Sequence, residues 1–68
     1  MFEVDSGKIL QFLFDQKLTT KGFSRRAGVS IQVVKNAVTG KRLQIPSVAK
    51  IALAMGITPN DLIVGKEF

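Results

Sequence analysis

Capping residues and glycines recur along the whole sequence, and they leave room only for short helices between them. The apolar residues of these intervals follow helical spacing, and no run alternates strictly enough to indicate a strand. A hydroxyl or carboxylate residue precedes several of the apolar runs, and glycine follows them, as helix starts and ends require. The pattern predicts an all-α fold, a compact bundle of about five short helices.

The first helix is predicted to begin near Asp5 or Ser6, either of which can cap exposed amides, and to run to about Leu18. Helical spacing predicts an inward stripe on this helix that consists of Leu10, Leu13, Phe14 and Leu18. Ile9 is expected to lie beside this stripe. Phe12 is expected to point the other way. The sequence therefore predicts which side of this helix meets the core.

The second and third helices are separated by a tight turn. The second is predicted to begin after Thr19, to bury Phe23 and to end at Gly28, where a left-handed glycine would turn the chain. Ser30 is the expected cap of the third helix, which stops at Gly40. These short helices follow each other within a few residues.

The last two helices have equally distinct boundaries. The fourth is predicted to carry Pro46 in its first turn and to end at Gly56. Its buried stripe consists of Val48, Ile51, Ala52 and Met55. The fifth begins with Thr58 as cap, Pro59 at its first position and Asp61 at its third, near the positive end of the helix dipole.

Acidic and basic residues are segregated along the chain, whose formal net charge is +5. The acidic residues all lie before residue 16 or after residue 60. Between them lie Lys17, Lys21, Arg25, Arg26, Lys35, Lys41, Arg42 and Lys50. A segment of one sign favours a surface that meets a polyanion such as nucleic acid, and the alternative is a solvated basic face without a partner.

The third helix separates into two faces on a helical wheel. Its apolar side consists of Ile31, Val34, Ala37 and Val38, and its polar side of Gln32, Lys35, Asn36 and Thr39. Amide side chains pair with adenine, lysine reaches guanine acceptors, and threonine bonds phosphate or touches a thymine methyl group. The polar side therefore suits a DNA major groove, although an ordinary solvated helix face has the same spacing.

The segment TTKGFSRRAGVS, residues 19–30, resembles the helix-turn-helix core of the phage repressor and Cro family. The resemblance continues through SIQVVKNAVTGKR and AKIALAMGITPNDL and covers roughly residues 8 to 64. It implies a lambda-repressor-like DNA-binding domain, a single domain over residues 1–68 with its helix-turn-helix core at about 19–40. The implied function is a sequence-specific transcriptional regulator, a phage-type repressor or Cro-like switch protein that binds operator DNA.

Residue by residue, the resemblance implies two kinds of DNA contact. Gln32 and Asn36 would meet base edges, with Lys35 beside them and Ile31 against a thymine methyl group. Phosphate contacts fall on the start of the second helix, the turn and the loop after the third helix, at Thr19, Thr20, Ser30, Thr39, Lys41 and Arg42. Since one helix reads one half-site, the family resemblance also implies a homodimer, formed through residues 57–68 or through the Phe12 face.

A second hypothesis turns the same scaffold toward a protein partner. Three apolar residues belong to no predicted inward stripe, namely Phe12, Val33 and Leu53. Such residues can anchor an interface, although scattered exposed apolar residues are also normal on protein surfaces. The chain would then be a modulator or antirepressor that binds another phage repressor and blocks its DNA binding.

The composition argues against an enzyme. The chain has neither Cys nor His, which removes disulfides, the common zinc sites and histidine acid–base chemistry. Its carboxylates are scattered, so no metal, cofactor or small-molecule substrate is expected. Its apolar stretches fall short of the ~20 residues that cross a membrane, and we expect a cytoplasmic protein.

Overall fold

The computed structural model describes residues 1–64, and within them it contains five helices joined by short connections. They are α1 (Ser6–Gln16), α2 (Thr20–Ala27), α3 (Ile31–Val38), α4 (Ile45–Met55) and α5 (Pro59–Leu62). Helix α3 packs on α1 and α2, and α4 packs on α2 and α5. The predicted all-α bundle is confirmed, and no helix within residues 1–64 is long and apolar enough to cross a bilayer.

The predicted capping residues define these boundaries. The side chains of Asp5, Thr19, Ser30 and Thr58 each accept a hydrogen bond from a backbone amide in the first turn that follows. Thr58 and Asp61 also form a reciprocal capping box at the start of α5. Helix α1 alone ends clearly earlier than expected, at Gln16, because Lys17 adopts a left-handed conformation with φ 56°.

The core lies between all five helices. Its central side chain is Phe23 of α2, which is fully buried, and the ring of Phe12 packs against it with centroids 5.7 Å apart. The buried apolar residues are Val4, Ile9, Leu13, Phe23, Val34, Ala37, Leu43, Val48, Ile51, Ala52 and Leu62. The predicted α4 stripe is thereby confirmed, with Met55 half-buried at its end.

The predicted inward face of α1 is partly wrong. Ile9 and Leu13 are buried and Phe12 packs against the core, whereas Leu10 is 50% exposed and Phe14 is 81% exposed. The apolar residues of α1 span an arc wider than one face, and helical spacing alone does not tell which edge of such an arc is buried. The helix is rotated so that Phe12, expected outside, contacts the core.

The segment before α1 is also part of the bundle. Phe2 forms an isolated antiparallel bridge with Leu43, and Val4 forms another with Ile63. The Phe2 and Leu43 amides each donate to the other residue's carbonyl, at 2.7 and 2.8 Å. The start of the chain therefore lies against both the loop before α4 and the residues after α5.

Candidate nucleic-acid interface

The turn between α2 and α3 fixes the angle between the two helices. Gly28 adopts φ 74°, and the amides of Gly28 and Val29 donate to the Ser24 carbonyl at 2.9 and 3.0 Å. Ser24 is itself buried, and its hydroxyl donates to the Lys21 carbonyl at 2.7 Å. A residue with a Cβ rarely adopts the conformation of Gly28, so this glycine allows the chain to turn with only three residues between α2 and α3.

Helix α3 presents its polar side outward, as the wheel predicts. Val34 and Ala37 are fully buried, whereas the side chains of Gln32, Lys35 and Thr39 are exposed. The first turn differs, since Ile31 is 37% exposed rather than part of the buried side. The outer row of α3 therefore combines amide, ammonium, hydroxyl and apolar groups.

Two members of this row are joined to each other. Gln32 Nε2 donates to Asn36 Oδ1 at 2.9 Å, across one helical turn. Gln32 is exposed and Asn36 is half-buried, so the two amides differ in their access to a ligand. Sequence analysis treated them as independent side chains and missed this contact.

The hydroxyl groups proposed for phosphate contact are not equivalent. Thr19 Oγ1 and Ser30 Oγ accept from the amides of Gly22 and Val33, at 3.0 and 3.2 Å, which leaves each hydroxyl proton free to donate outward. Thr39 Oγ1 instead donates to the Lys35 carbonyl at 2.8 Å. Its hydroxyl proton is already used, and Thr39 must rotate before it can donate to a phosphate.

The loop after α3 holds two further candidates in a fixed backbone. The Lys41 amide donates to the Asn36 carbonyl at 2.9 Å, and Gly40 adopts φ 81°, which together form a Schellman-type helix end. Lys41 and Arg42 are exposed, and the next residue, Leu43, is buried and bridged to the N-terminal segment. Both basic side chains therefore project into solvent from a well-anchored loop beside α3.

The basic residues between the two acidic ends of the sequence all project into solvent. The exposed side chains are Lys17, Lys21, Arg25, Arg26, Lys35, Lys41, Arg42 and Lys50. None of them forms an ion pair with another residue in 1–64. Unpaired cations attract a polyanion without first breaking an internal bond, which favours phosphate contact and counterion release.

The apolar surface differs from the predicted protein-binding set. Phe12 and Val33 are half-buried and pack against the core, so the prediction that Phe12 points away from the core is wrong. Leu53 is 80% exposed, as expected. The other large exposed apolar side chains include Leu10, Phe14 and Ile45, which sequence analysis had assigned to the interior or not considered.

No group of residues in the described part of the chain could hold a metal ion.

A model of the Cro/C1-type HTH DNA-binding domain matches residues 8–66. No curated protein and no solved structure gives a significant match. The matched range contains α2 to α5, all of α1 except its first two residues, and every residue of the candidate interface.

Proposed function

Since the chain belongs to the Cro/C1-type helix-turn-helix DNA-binding domain family, we propose that it is a sequence-specific transcriptional regulator of the phage repressor and Cro type. The observation that carries this proposal is the outward row of α3, which holds Gln32, Lys35 and Asn36 and begins at the capping hydroxyl of Ser30. A DNA major groove accepts one α-helix, and these side chains supply the donors and acceptors that distinguish base pairs.

In this mechanism α3 lies in the major groove, where Gln32, Lys35 and Asn36 face base edges and Ile31 can contact a thymine methyl group. The hydroxyls of Thr19 and Ser30 hold the phosphates on either side, together with Thr20, Thr39, Lys41 and Arg42. Helix starts carry partial positive charge, which favours phosphates at the beginnings of α2 and α3. Two copies would read two half-sites about one DNA turn apart, so we propose a homodimer on the operator.

A test first enriches bound sequences from a pool of random duplexes and then measures binding to the enriched duplex. Gln32→Ala should cost about 1 to 3 kcal/mol on that duplex and blur its sequence preference, because a base contact is lost. Lys41→Ala should weaken binding to all duplexes equally and reduce the slope of log K against log salt by about 1.

The matched control is Gln11→Ala. Gln11 is an exposed glutamine of α1 that donates to Asp15 at 2.9 Å, with the same spacing as the Gln32 contact on α3. Its loss should leave DNA binding unchanged. Equal losses on every duplex for Gln32→Ala and Lys41→Ala would contradict the separation of base and phosphate contacts.

A second candidate function is an antirepressor that binds another repressor and blocks its access to DNA. The observation that favours it is the exposure of three large apolar side chains, Leu10, Phe14 and Leu53. Under this hypothesis Phe14→Ser and Leu53→Ser abolish binding to the partner repressor. Variants of α3 should leave that binding unchanged. The enrichment experiment discriminates, since an antirepressor alone should enrich no DNA sequence.

A further inference from the structure

Gln32 and Asn36 are joined by a hydrogen bond of 2.9 Å on the outward face of α3. We infer that the two amides form one recognition unit, in which Gln32 contacts a base and Asn36 is a positioning residue that orients Gln32. This inference rests on the proposed DNA-binding function. It replaces two independent base contacts, one by Gln32 and one by Asn36, with a single contact by Gln32.

The groups that remain free on Gln32 match adenine. Within residues 1–64, Gln32 Oε1 and the second hydrogen of Nε2 have no partner. Adenine presents an amino donor and the N7 acceptor in the major groove, which an amide oxygen and an amide hydrogen meet together. Because an amide nitrogen carries two hydrogens, Gln32 can bond Asn36 and adenine N7 at the same time. The unit therefore specifies an A·T pair.

Asn36 is less suited to read a base by itself. A two-point contact to adenine requires Asn36 Oδ1 to accept from the adenine amino group as well as from Gln32, so one oxygen would have to align with both donors. Asn36 is also half-buried, whereas Gln32 is exposed, and its side chain is one methylene shorter. Its half-buried position, its shorter side chain and its bond to Gln32 together assign it to the support of Gln32.

Support of this kind affects affinity because a free glutamine side chain samples several rotamers and loses this freedom when it binds. A hydrogen bond formed in the free protein removes part of that loss before DNA arrives. Removing the Asn36 acceptor should therefore reduce the preference for adenine about two- to tenfold. Removing Gln32 removes the contact itself and should reduce the preference about five- to 150-fold.

The experiment uses the duplex that the wild-type chain enriches from a random pool. Dissociation constants are measured for Gln32→Ala, Asn36→Ala and the double variant, on this duplex and on duplexes with each base pair replaced in turn. We expect both single variants to lose preference at the same A·T pair and the double variant to lose no more than Gln32→Ala. An adenine analogue without N7 at that position should weaken the wild type and leave Gln32→Ala unchanged.

Asn36→Asp separates positioning from a purely structural role. Aspartate keeps an oxygen that accepts from Gln32, so the preference at that base pair should be retained. Its added negative charge should weaken binding to all duplexes by the same factor. Asp15→Ala is the matched control, because it removes the acceptor of the equivalent Gln11 contact on α1 and should leave base preference unchanged.

The two proposals fail in different ways. If Gln32→Ala and Asn36→Ala change the preference at different base pairs, and their losses add in the double variant, the residues are separate readers and the inference is overturned. DNA binding would then still stand. If the wild type enriches no sequence and shows no salt-dependent affinity for any duplex, the proposed function is wrong and the recognition unit with it.

Discussion

Two phenylalanines on the same helix should respond in opposite ways to truncation. Phe12 packs against the core with its ring 5.7 Å from that of Phe23, whereas the side chain of Phe14 is 81% exposed. Partial loss of apolar burial together with loss of the ring pair should make Phe12→Ala destabilising by about 2 to 3 kcal/mol. Phe14→Ala removes little buried surface and improves helix propensity by about 0.5 kcal/mol. The stability of this variant should therefore be unchanged or slightly higher.

Thermal unfolding followed by far-ultraviolet circular dichroism measures this difference, because the chain has no Trp or Tyr to report by fluorescence. For a domain of this size the loss at Phe12 corresponds to a fall in Tm of roughly 10 to 20 °C. Urea unfolding of the same variants gives an independent free energy. A larger loss for Phe14→Ala than for Phe12→Ala would refute the observed rotation of α1 and favour the face predicted from the sequence.

Two further pairs separate stability from DNA binding. Thr19→Ala and Thr58→Ala each remove an N-cap and should each cost about 1 kcal/mol in urea unfolding, but only Thr19→Ala should also weaken binding to every duplex; equal DNA affinities for the two would contradict the phosphate contact. Gly28→Ala and Gly56→Ala each place a side chain at a positive φ with open space around it, at a cost of about 1 to 2 kcal/mol. Only Gly28→Ala should reduce DNA affinity at temperatures where both variants are folded, since Gly28 sets the angle between α2 and α3.

Helix boundaries could be predicted because their signals are local. Ser30 and Gly28 mark the ends of α3 and α2 by their own chemistry, and the structure confirms both. The outward side of α3 could also be predicted from the sequence, since its polar and apolar residues recur with a clear helical period. Sequence reasoning therefore reached the elements that form the candidate interface.

The errors and omissions concern contacts that residue spacing alone does not determine. The apolar arc of α1 is too wide to show which edge meets Phe23, because this depends on how α1 packs on its neighbours. The bridges of Phe2 to Leu43 and Val4 to Ile63 join residues far apart in sequence and are too short to give a strand pattern. The bond between Gln32 and Asn36 depends on rotamers, which residue spacing permits but does not determine.

The most direct test of the account follows backbone and side-chain amide resonances by nuclear magnetic resonance while the enriched duplex is added to isotope-labelled protein. The account predicts the largest changes in α3, in the side-chain amides of Gln32 and Asn36, and at the start of α2, with Leu53 unaffected. Changes confined to Leu10, Phe14 and Leu53, with α3 unperturbed, would contradict the central claim that α3 reads DNA.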